Sequence, residues 1–161
     1  MDVAANSDEA MLDRYADTLA AGIEGALPGW VQQRVAQVMV AWRGEVPDDV
    51  ALQATAAGRS AAADIGPRVR ALLMTDVDEQ PTGPLAVVRG AVRWPTAVLA
   101  AAGAPAVRRD EFVERTFPDD VYDLAPASFG DLDPALQEAG ITWGAAKAHV
   151  VLSRRRAEGR R

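Results

Sequence analysis

The sequence predicts an all-α protein, a compact bundle of about six to seven helices, some of them kinked by proline. Two observations carry this prediction. Apolar residues recur at steps of three and four along most of the 161-residue chain, the spacing that places them on one face of a helix. No segment alternates polar and apolar residues in the way that a half-buried strand does. We also expect an ordered acidic and aromatic loop near residues 117–134, where the helical spacing is lost.

The first two predicted helices cover residues 8–27 and 31–42. Ser7 offers an N-cap oxygen to the first of them. Pro28–Gly29 is expected to end that helix, because proline lacks the amide that the next turn needs. Gly44 is expected to end the second helix, since glycine suits the left-handed conformation that often follows a helix. The apolar faces are formed by Met11, Leu12, Tyr15, Leu19, Ile23 and Leu27, and then by Val31, Val35, Val38, Met39 and Trp42.

The next part of the chain is rich in alanine. Residues 50–64 are predicted to be helical, behind Asp48 and Asp49, whose charges favour the first turn of a helix. Alanine offers little apolar area to bury, so this helix must pack closely or lie partly exposed. The apolar seam continues over residues 65–77 across Gly66–Pro67, where we expect a kink or a restart.

Residues 76–84 are rich in acids, prolines and glycine, which predicts a loop and a candidate hinge. We place this loop inside a single helical domain of residues 1–153. Beyond the loop, a helical seam over residues 85–99 is interrupted by Pro95. Gly103, with a proline two residues later, is expected to close this segment as a helix C-cap.

Two further helices complete the predicted bundle, a short one over residues 110–117 and a last one that begins at Thr142. The last helix leads into residues 154–161, a basic tail with five arginines that we expect to be frayed. The chain has a net charge of −6, but residues 1–153 alone carry −10. Such a tail could bind nucleic acid, an acidic membrane face or an acidic partner. We favour instead a counter-charge to the acidic body, with no nucleic-acid partner.

Composition excludes several classes of protein. The chain has no cysteine, which removes disulfides, cysteine-based zinc sites and cysteine nucleophiles. No run of about 18 apolar residues is present that could cross a membrane. The first residues have neither the basic nor the apolar region of a secretory signal, so we expect a cytoplasmic protein. Abundant alanine, and arginine at all but one of the basic positions, are typical of bacterial genomes of high GC content.

The acidic and aromatic loop is the most distinctive segment for function. Its carboxylates could hold a divalent cation through oxygen ligands, although their spacing does not match an EF-hand. We favour the alternative in which Asp123, Ser128, Asp131 and Asp133 cap short helices and turns, with Asp133–Pro134 as a helix start. The loop is then expected to dock on the core through Phe117, Tyr122, Leu124 and Phe129. The sequence therefore predicts no metal site and no cofactor. The carboxylates belong to Asp119, Asp120, Asp123, Asp131 and Asp133.

His149 is the only histidine and therefore the only imidazole that could act as a general base. One alternative places it with Asp119, Asp120 and Asp123 in a pocket that binds a small molecule or metal, or that acts as an enzyme site. The chain has no Gly-X-Ser-X-Gly elbow, no dinucleotide fingerprint and no P-loop to support catalysis or nucleotide binding. We favour a partly buried structural histidine and assign no catalytic residue.

Arg89, Arg93 and Trp94 lie along one predicted helix. Arginine and tryptophan dominate the energetics of protein recognition, so these residues form a candidate binding surface together with the neighbouring loop. Alanine-rich helices also leave apolar faces that a symmetric partner can cover, which is compatible with a homodimer. The function expected from the sequence is that of a binding or regulatory module for another protein, or for a second copy, rather than an enzyme.

Overall fold

The structure is a computed structural model of the chain, and it describes residues 3–74, 83–107 and 120–159. The helices are α1 (Val3–Arg43), α2 (Asp48–Met74), α3 (Pro84–Arg89), α4 (Arg93–Ala101) and α5 (Ala135–Gly159), with 3-10 turns at Gly90–Val92 and Phe129–Asp131. Because α3, the first turn and α4 follow one another without a break, these residues form four helical segments and no strand. The all-α prediction is confirmed. The predicted number of six to seven helices is wrong.

The first two predicted helices are one helix, α1, which runs for 41 residues through Pro28. A proline inside a helix costs about 3 kcal/mol, because it removes one hydrogen bond and crowds the preceding turn. Leu27, Trp30 and Val31 around it are almost completely buried. Burial of this face offsets the local penalty and keeps the helix continuous. α1 ends at Arg43, and Gly44 after it has a φ of 80°, the left-handed conformation expected there.

The alanine-rich helix α2 packs antiparallel to α1, and its glycines allow the two backbones to approach closely. A Cβ atom added at Gly58 would lie 2.8 Å from the carbonyl oxygen of Pro28, and one at Gly66 would lie 3.0 Å from the Glu24 side chain. Close packing therefore replaces the apolar area that alanine lacks. α2 also runs through Pro67 without the predicted restart, again with a buried face on both sides of the proline.

The α3–α4 segment shows a local effect of Pro95. This residue has no amide to bond the carbonyl four residues earlier, and that carbonyl lies within the 3-10 turn Gly90–Val92. The backbone tightens at the place where the α-helical bond is missing. The predicted end of the segment is confirmed, because Gly103 has a φ of 81° and the Ala104 amide donates to the Leu99 carbonyl at 3.0 Å.

The last helix begins earlier and ends later than the sequence predicts. α5 begins at Ala135 rather than Thr142, and a carboxylate oxygen of Asp133 accepts the Ala135 amide at 3.0 Å. It continues to Gly159, so residues 154–159 are helical where we expected a frayed tail. The helix start expected at Asp133–Pro134 is confirmed, and the cap at Asp133 explains why α5 begins before Thr142.

α1 is the central element, since α2, α4 and α5 all pack against it. α5 lies antiparallel to α1 and buries Leu136, Trp143 and Val150, which are spaced by seven residues. A Cβ atom at Gly22 of α1 would lie only 2.5 Å from Leu136, so that leucine sits in a notch of α1. None of the described helices is long and apolar enough to cross a membrane. The predicted helix over residues 110–117, and the candidate hinge as far as residue 82, lie outside the described residues.

Candidate functional site

The loop that precedes α5 is organised by a buried carboxylate. Asp120 is only 5% exposed, and its two oxygens accept the amides of Leu124 at 2.7 Å and Ala125 at 2.9 Å. Hydrogen bonds to two amides satisfy a charge that burial would otherwise make costly. Asp120 is therefore a structural cap of this loop.

Other acidic residues of the loop also act on the backbone. A carboxylate oxygen of Asp131 accepts the Ala127 amide at 2.7 Å, and Asp123 adopts a left-handed φ of 59°. The prediction that loop carboxylates cap turns is confirmed for Asp131 and Asp133, whereas the cap formed by Asp120 was not predicted. Within the described ranges, no group of three histidine and acidic residues could hold a metal ion. Phe117 and Asp119 lie outside those ranges.

Tyr122 ties this loop to the chain that follows α4. Its hydroxyl donates to the Ala104 carbonyl at 2.8 Å, and the Val107 amide donates to the Val121 carbonyl at 2.9 Å. Burial of the ring raises the pKa of Tyr122 above its ordinary value of 10.0, because desolvation disfavours the phenolate. The predicted docking of the loop through Tyr122 is confirmed.

Arg89 holds the same loop from the other side. Its Nε donates to the Pro126 carbonyl at 3.1 Å, and its Nη2 donates to the Ala127 carbonyl at 3.2 Å. This guanidinium therefore anchors the loop to α3.

Arg93 and Trp94 lie at the junction of the α3–α4 segment with α2. The Arg93 guanidinium is 3.2 Å from an Asp64 carboxylate oxygen and 4.2 Å from the centre of the Trp94 ring. Both interactions join side chains of the same molecule, and exposed pairs of this kind contribute at most about 1 kcal/mol each. The structure thus gives Arg89 and Arg93 internal partners within the surface that the sequence singles out.

An open groove lies between the last turns of α1 and the two loops that Tyr122 joins. We call it the α1–loop groove. Its volume is about 460 Å³, and Val107 at its rim is 44% exposed. The groove is lined by Gln37, Val38, Ala41, Trp42, Pro105, Val107, Tyr122 and Leu124.

Two arginines of α1 flank the α1–loop groove. Arg34 precedes Val38 by one turn on the same face, and its Nη1 donates to the Gln37 side chain at 2.9 Å. The Arg34 Nε is buried without a hydrogen-bond partner in the described part of the chain. Arg43 lies 4.1 Å from the centre of the Trp42 ring. An apolar groove with positive edges is therefore built into a protein of net negative charge.

A second groove, the α1–α5 groove, lies at the other end of α1. Its volume is about 430 Å³, and the Nε2 atom of His149 approaches an Asp8 carboxylate oxygen at 3.0 Å across it. The His149 side chain is 64% exposed, so the prediction of a partly buried histidine is wrong, and a pair this exposed adds little stability. The groove is lined by Asp8, Met11, Tyr15, Ile141, Thr142, Ala145, Ala146 and His149.

The two grooves are separated by most of the length of α1. From Met11 to Val38 the helix rises about 40 Å at about 1.5 Å per residue. His149 lies in the α1–α5 groove near Met11. Asp120 and Tyr122 lie beside the α1–loop groove near Val38. The structure therefore does not bring His149 together with the loop carboxylates into one pocket.

The α1–loop groove was missed from the sequence because its residues come from three separate segments. The only signal was Trp42, a large aromatic residue at the end of an apolar stripe, beside an arginine. Comparison of the chain with protein-family models, with curated proteins and with solved structures finds no match. Function is therefore argued from the residues of the grooves themselves.

Proposed function

We propose that this protein is a helical binding module that holds an apolar segment of a partner protein in the α1–loop groove. The observation that supports this most directly is the position of Trp42 and Tyr122 in one open apolar groove with arginines at its edge. Tryptophan and arginine are the residues most enriched where truncation costs the most binding energy. The groove thus carries the features of a recognition surface.

A polypeptide segment fits this groove better than a small molecule does. Sites for small molecules enclose most of their ligand. The α1–loop groove is instead open to solvent, with exposed Gln37, Ala41 and Val107 along its rim. An open apolar groove beside a helix is the geometry that receives one or two large side chains of a longer segment.

The charges beside the groove indicate the chemistry of the partner segment. Arg34 and Arg43 place two positive charges at its edges. The rest of the protein is acidic and repels acidic chains at longer range. We therefore propose a segment with large apolar side chains next to a single carboxylate, which pairs with Arg34, rather than a strongly acidic chain.

Site-specific photo-crosslinking in the cells that express the protein tests this function. A benzophenone amino acid replaces Val107 at the groove rim, and in a control protein it replaces Leu52, which is 73% exposed on α2 and lines neither groove. We expect a discrete adduct with another protein from position 107 and none from position 52. Ala41→Glu places a carboxylate in the groove at an exposed helical position and should abolish the adduct. An equal yield from both positions, or no adduct at position 107, would refute the proposal.

Two other functions have less support. A pocket for a small molecule or metal would need Asp120 and Asp123 beside His149, and these residues lie near opposite ends of α1. Nucleic-acid binding by the basic tail would compete with the ion pair between Arg154 and Glu9, whose charged atoms are 2.9 Å apart. As part of the same proposal we assign the protein to the cytoplasm of a bacterium, which its lack of cysteine and its arginine usage favour.

A further inference from the structure

α5 has a second apolar face, on the side opposite to the one that packs on α1. Ile141 and Leu152 on this face are 63% and 51% exposed, and the two alanines between them are also exposed. The face begins and ends with a charged residue. Its residues follow one another at steps of three and four, which is the spacing of a seam between paired helices. The seam residues are Glu138, Ile141, Ala145, Ala148, Leu152 and Arg155.

We propose that this seam binds the same seam of a second copy of the chain, with the two α5 helices antiparallel. The order of the residues reads the same from both ends: charged, large apolar, alanine, alanine, large apolar, charged. In the antiparallel pair, Ile141 packs against the partner's Leu152, and Ala145 packs against the partner's Ala148. Alanine at the centre lets the helix axes approach closely, as small residues do where helices cross. A two-fold axis then repeats every contact, as a closed dimer requires.

Charge favours a second copy in this orientation over a parallel one. The antiparallel register places Glu138 opposite the partner's Arg155 at both ends of the seam. A parallel register would instead place Glu138 opposite the partner's Glu138, and like charges in contact are destabilising. Neither Glu138 nor Arg155 has an ion-pair partner within the chain among the described residues, so both are available for this contact.

The α1–α5 groove borders the seam at Ile141 and Ala145. Met11 of α1 is exposed next to Ile141 and Ala145, and Tyr15 lies beside them in the same groove. The seam itself faces away from α1, so the contact in the dimer is made by the two α5 helices. Because the seam is one face of a single helix, we expect it to bury less area than the standard interface of about 1,600 Å², and the dimer to dissociate on dilution into the micromolar range.

Sedimentation velocity over a range of concentrations tests the dimer. We expect the full chain to shift from 17.1 kDa towards twice that mass as its concentration rises, and Ile141→Glu to remain monomeric throughout. Leu52→Glu is the matched control, because it places the same charge at an exposed apolar site outside the seam. A wild-type chain that stays monomeric at high concentration would overturn the proposal, as would Leu52→Glu abolishing the dimer to the same extent.

Charge exchange tests the orientation. Glu138→Arg and Arg155→Glu should each weaken the dimer about tenfold or more, since each places like charges opposite one another. The double variant restores opposite charges and should recover most of the affinity. If the double variant is weaker than either single variant, the antiparallel register is wrong. A dimer of the double variant also shows that the single variants did not fail merely by misfolding.

The dimer is independent of the proposed function, because its seam and the α1–loop groove share no residue. Ala41→Glu should leave the sedimentation behaviour unchanged while it abolishes the photo-crosslink from position 107. Ile141→Glu should do the reverse. Failure of one proposal is therefore distinguishable from failure of the other. Association of this chain only with a different protein through Ile141 would refute the self-pairing.

Discussion

The contact between Gly58 of α2 and Pro28 of α1 makes a sharp prediction about stability. Replacing a helical glycine by alanine normally stabilises a helix, because alanine lowers the conformational entropy of the unfolded chain. At Gly58 the new Cβ atom would lie 2.8 Å from both the Cα and the carbonyl oxygen of Pro28. These are backbone atoms, so no side-chain rotation relieves the contact. We expect Gly58→Ala to destabilise the protein.

The magnitude follows from two opposing effects. The gain in helix propensity from glycine to alanine is up to about 1 kcal/mol. Overpacking of a closely packed site costs about 1–3 kcal/mol, because the two helices must move apart. Gly25→Ala isolates the steric effect, since Gly25 lies on α1 with no atom within 4 Å of its added Cβ. The two variants should therefore differ in their free energy of unfolding by about 1–3 kcal/mol.

Urea unfolding followed by circular dichroism at the helical band measures this difference, with thermal unfolding as a second readout. For a chain of this length, 1 kcal/mol corresponds to about 2–4 °C in Tm. Gly25→Ala should be as stable as the parent chain or more stable, and Gly58→Ala should be less stable than both. If Gly58→Ala is as stabilising as Gly25→Ala, the close approach of α1 and α2 at Pro28 is wrong.

Three further variants test the helices and the loop. Pro28→Ala should raise the free energy of unfolding by about 1–3 kcal/mol, because α1 is already helical on both sides of the proline. A loss of stability in urea unfolding would contradict this expectation. Asp120→Ala should destabilise by about 2–4 kcal/mol, because the buried amide of Leu124 and the partly buried amide of Ala125 lose their acceptor. Asp120→Asn keeps one acceptor and should cost less in the same measurement. The raised pKa of Tyr122 contributes stability that is complete below pH 10.0 and is lost as pH rises through the higher folded value. Tyr122→Phe should therefore be less stable than the parent at neutral pH by about 1 kcal/mol, because the hydrogen bond to the Ala104 carbonyl is lost. The variant should also lose less stability than the parent between neutral pH and pH 11. An equal loss in both chains would contradict the burial of the phenol.

Local sequence patterns predicted the helical class but not the lengths of the helices. Periodicity identified the buried faces of α1 and α2, which depend only on side-chain spacing. The breaks expected at Pro28 and Pro67 are absent, because burial on both sides of each proline outweighs its local cost. That compensation arises from contacts between helices distant in sequence, and no local rule contains it. The caps at Gly44 and Gly103 were predictable because they depend on one residue and its own backbone.

The candidate sites also combine features that the sequence predicts with features that only the tertiary structure shows. The caps formed by Asp131 and Asp133 were predictable, since short-range caps follow from residue type and position. The placement of His149 beside Asp8 was not, because 141 residues separate the two in the sequence. The α1–loop groove likewise combines Trp42 with Tyr122, which meet only when the loop folds back on α1. Its recognition requires the tertiary structure.

If both proposals hold, the length of α1 determines how two copies present their grooves. Near Met11, α1 lies beside the α5 seam, whereas the α1–loop groove lies near Val38, about 40 Å further along the helix. In an antiparallel α5 pair the two α1 helices project in opposite directions, so the two grooves lie about 80 Å apart. A partner carrying two binding segments on a linker of matching length would then bind more tightly than one carrying a single segment, through effective concentration alone. Arg155→Glu should remove this gain and leave the affinity for a single segment unchanged, whereas Ala41→Glu should weaken both. Equal weakening of both ligands by Arg155→Glu would show that α5 contacts the partner segment itself.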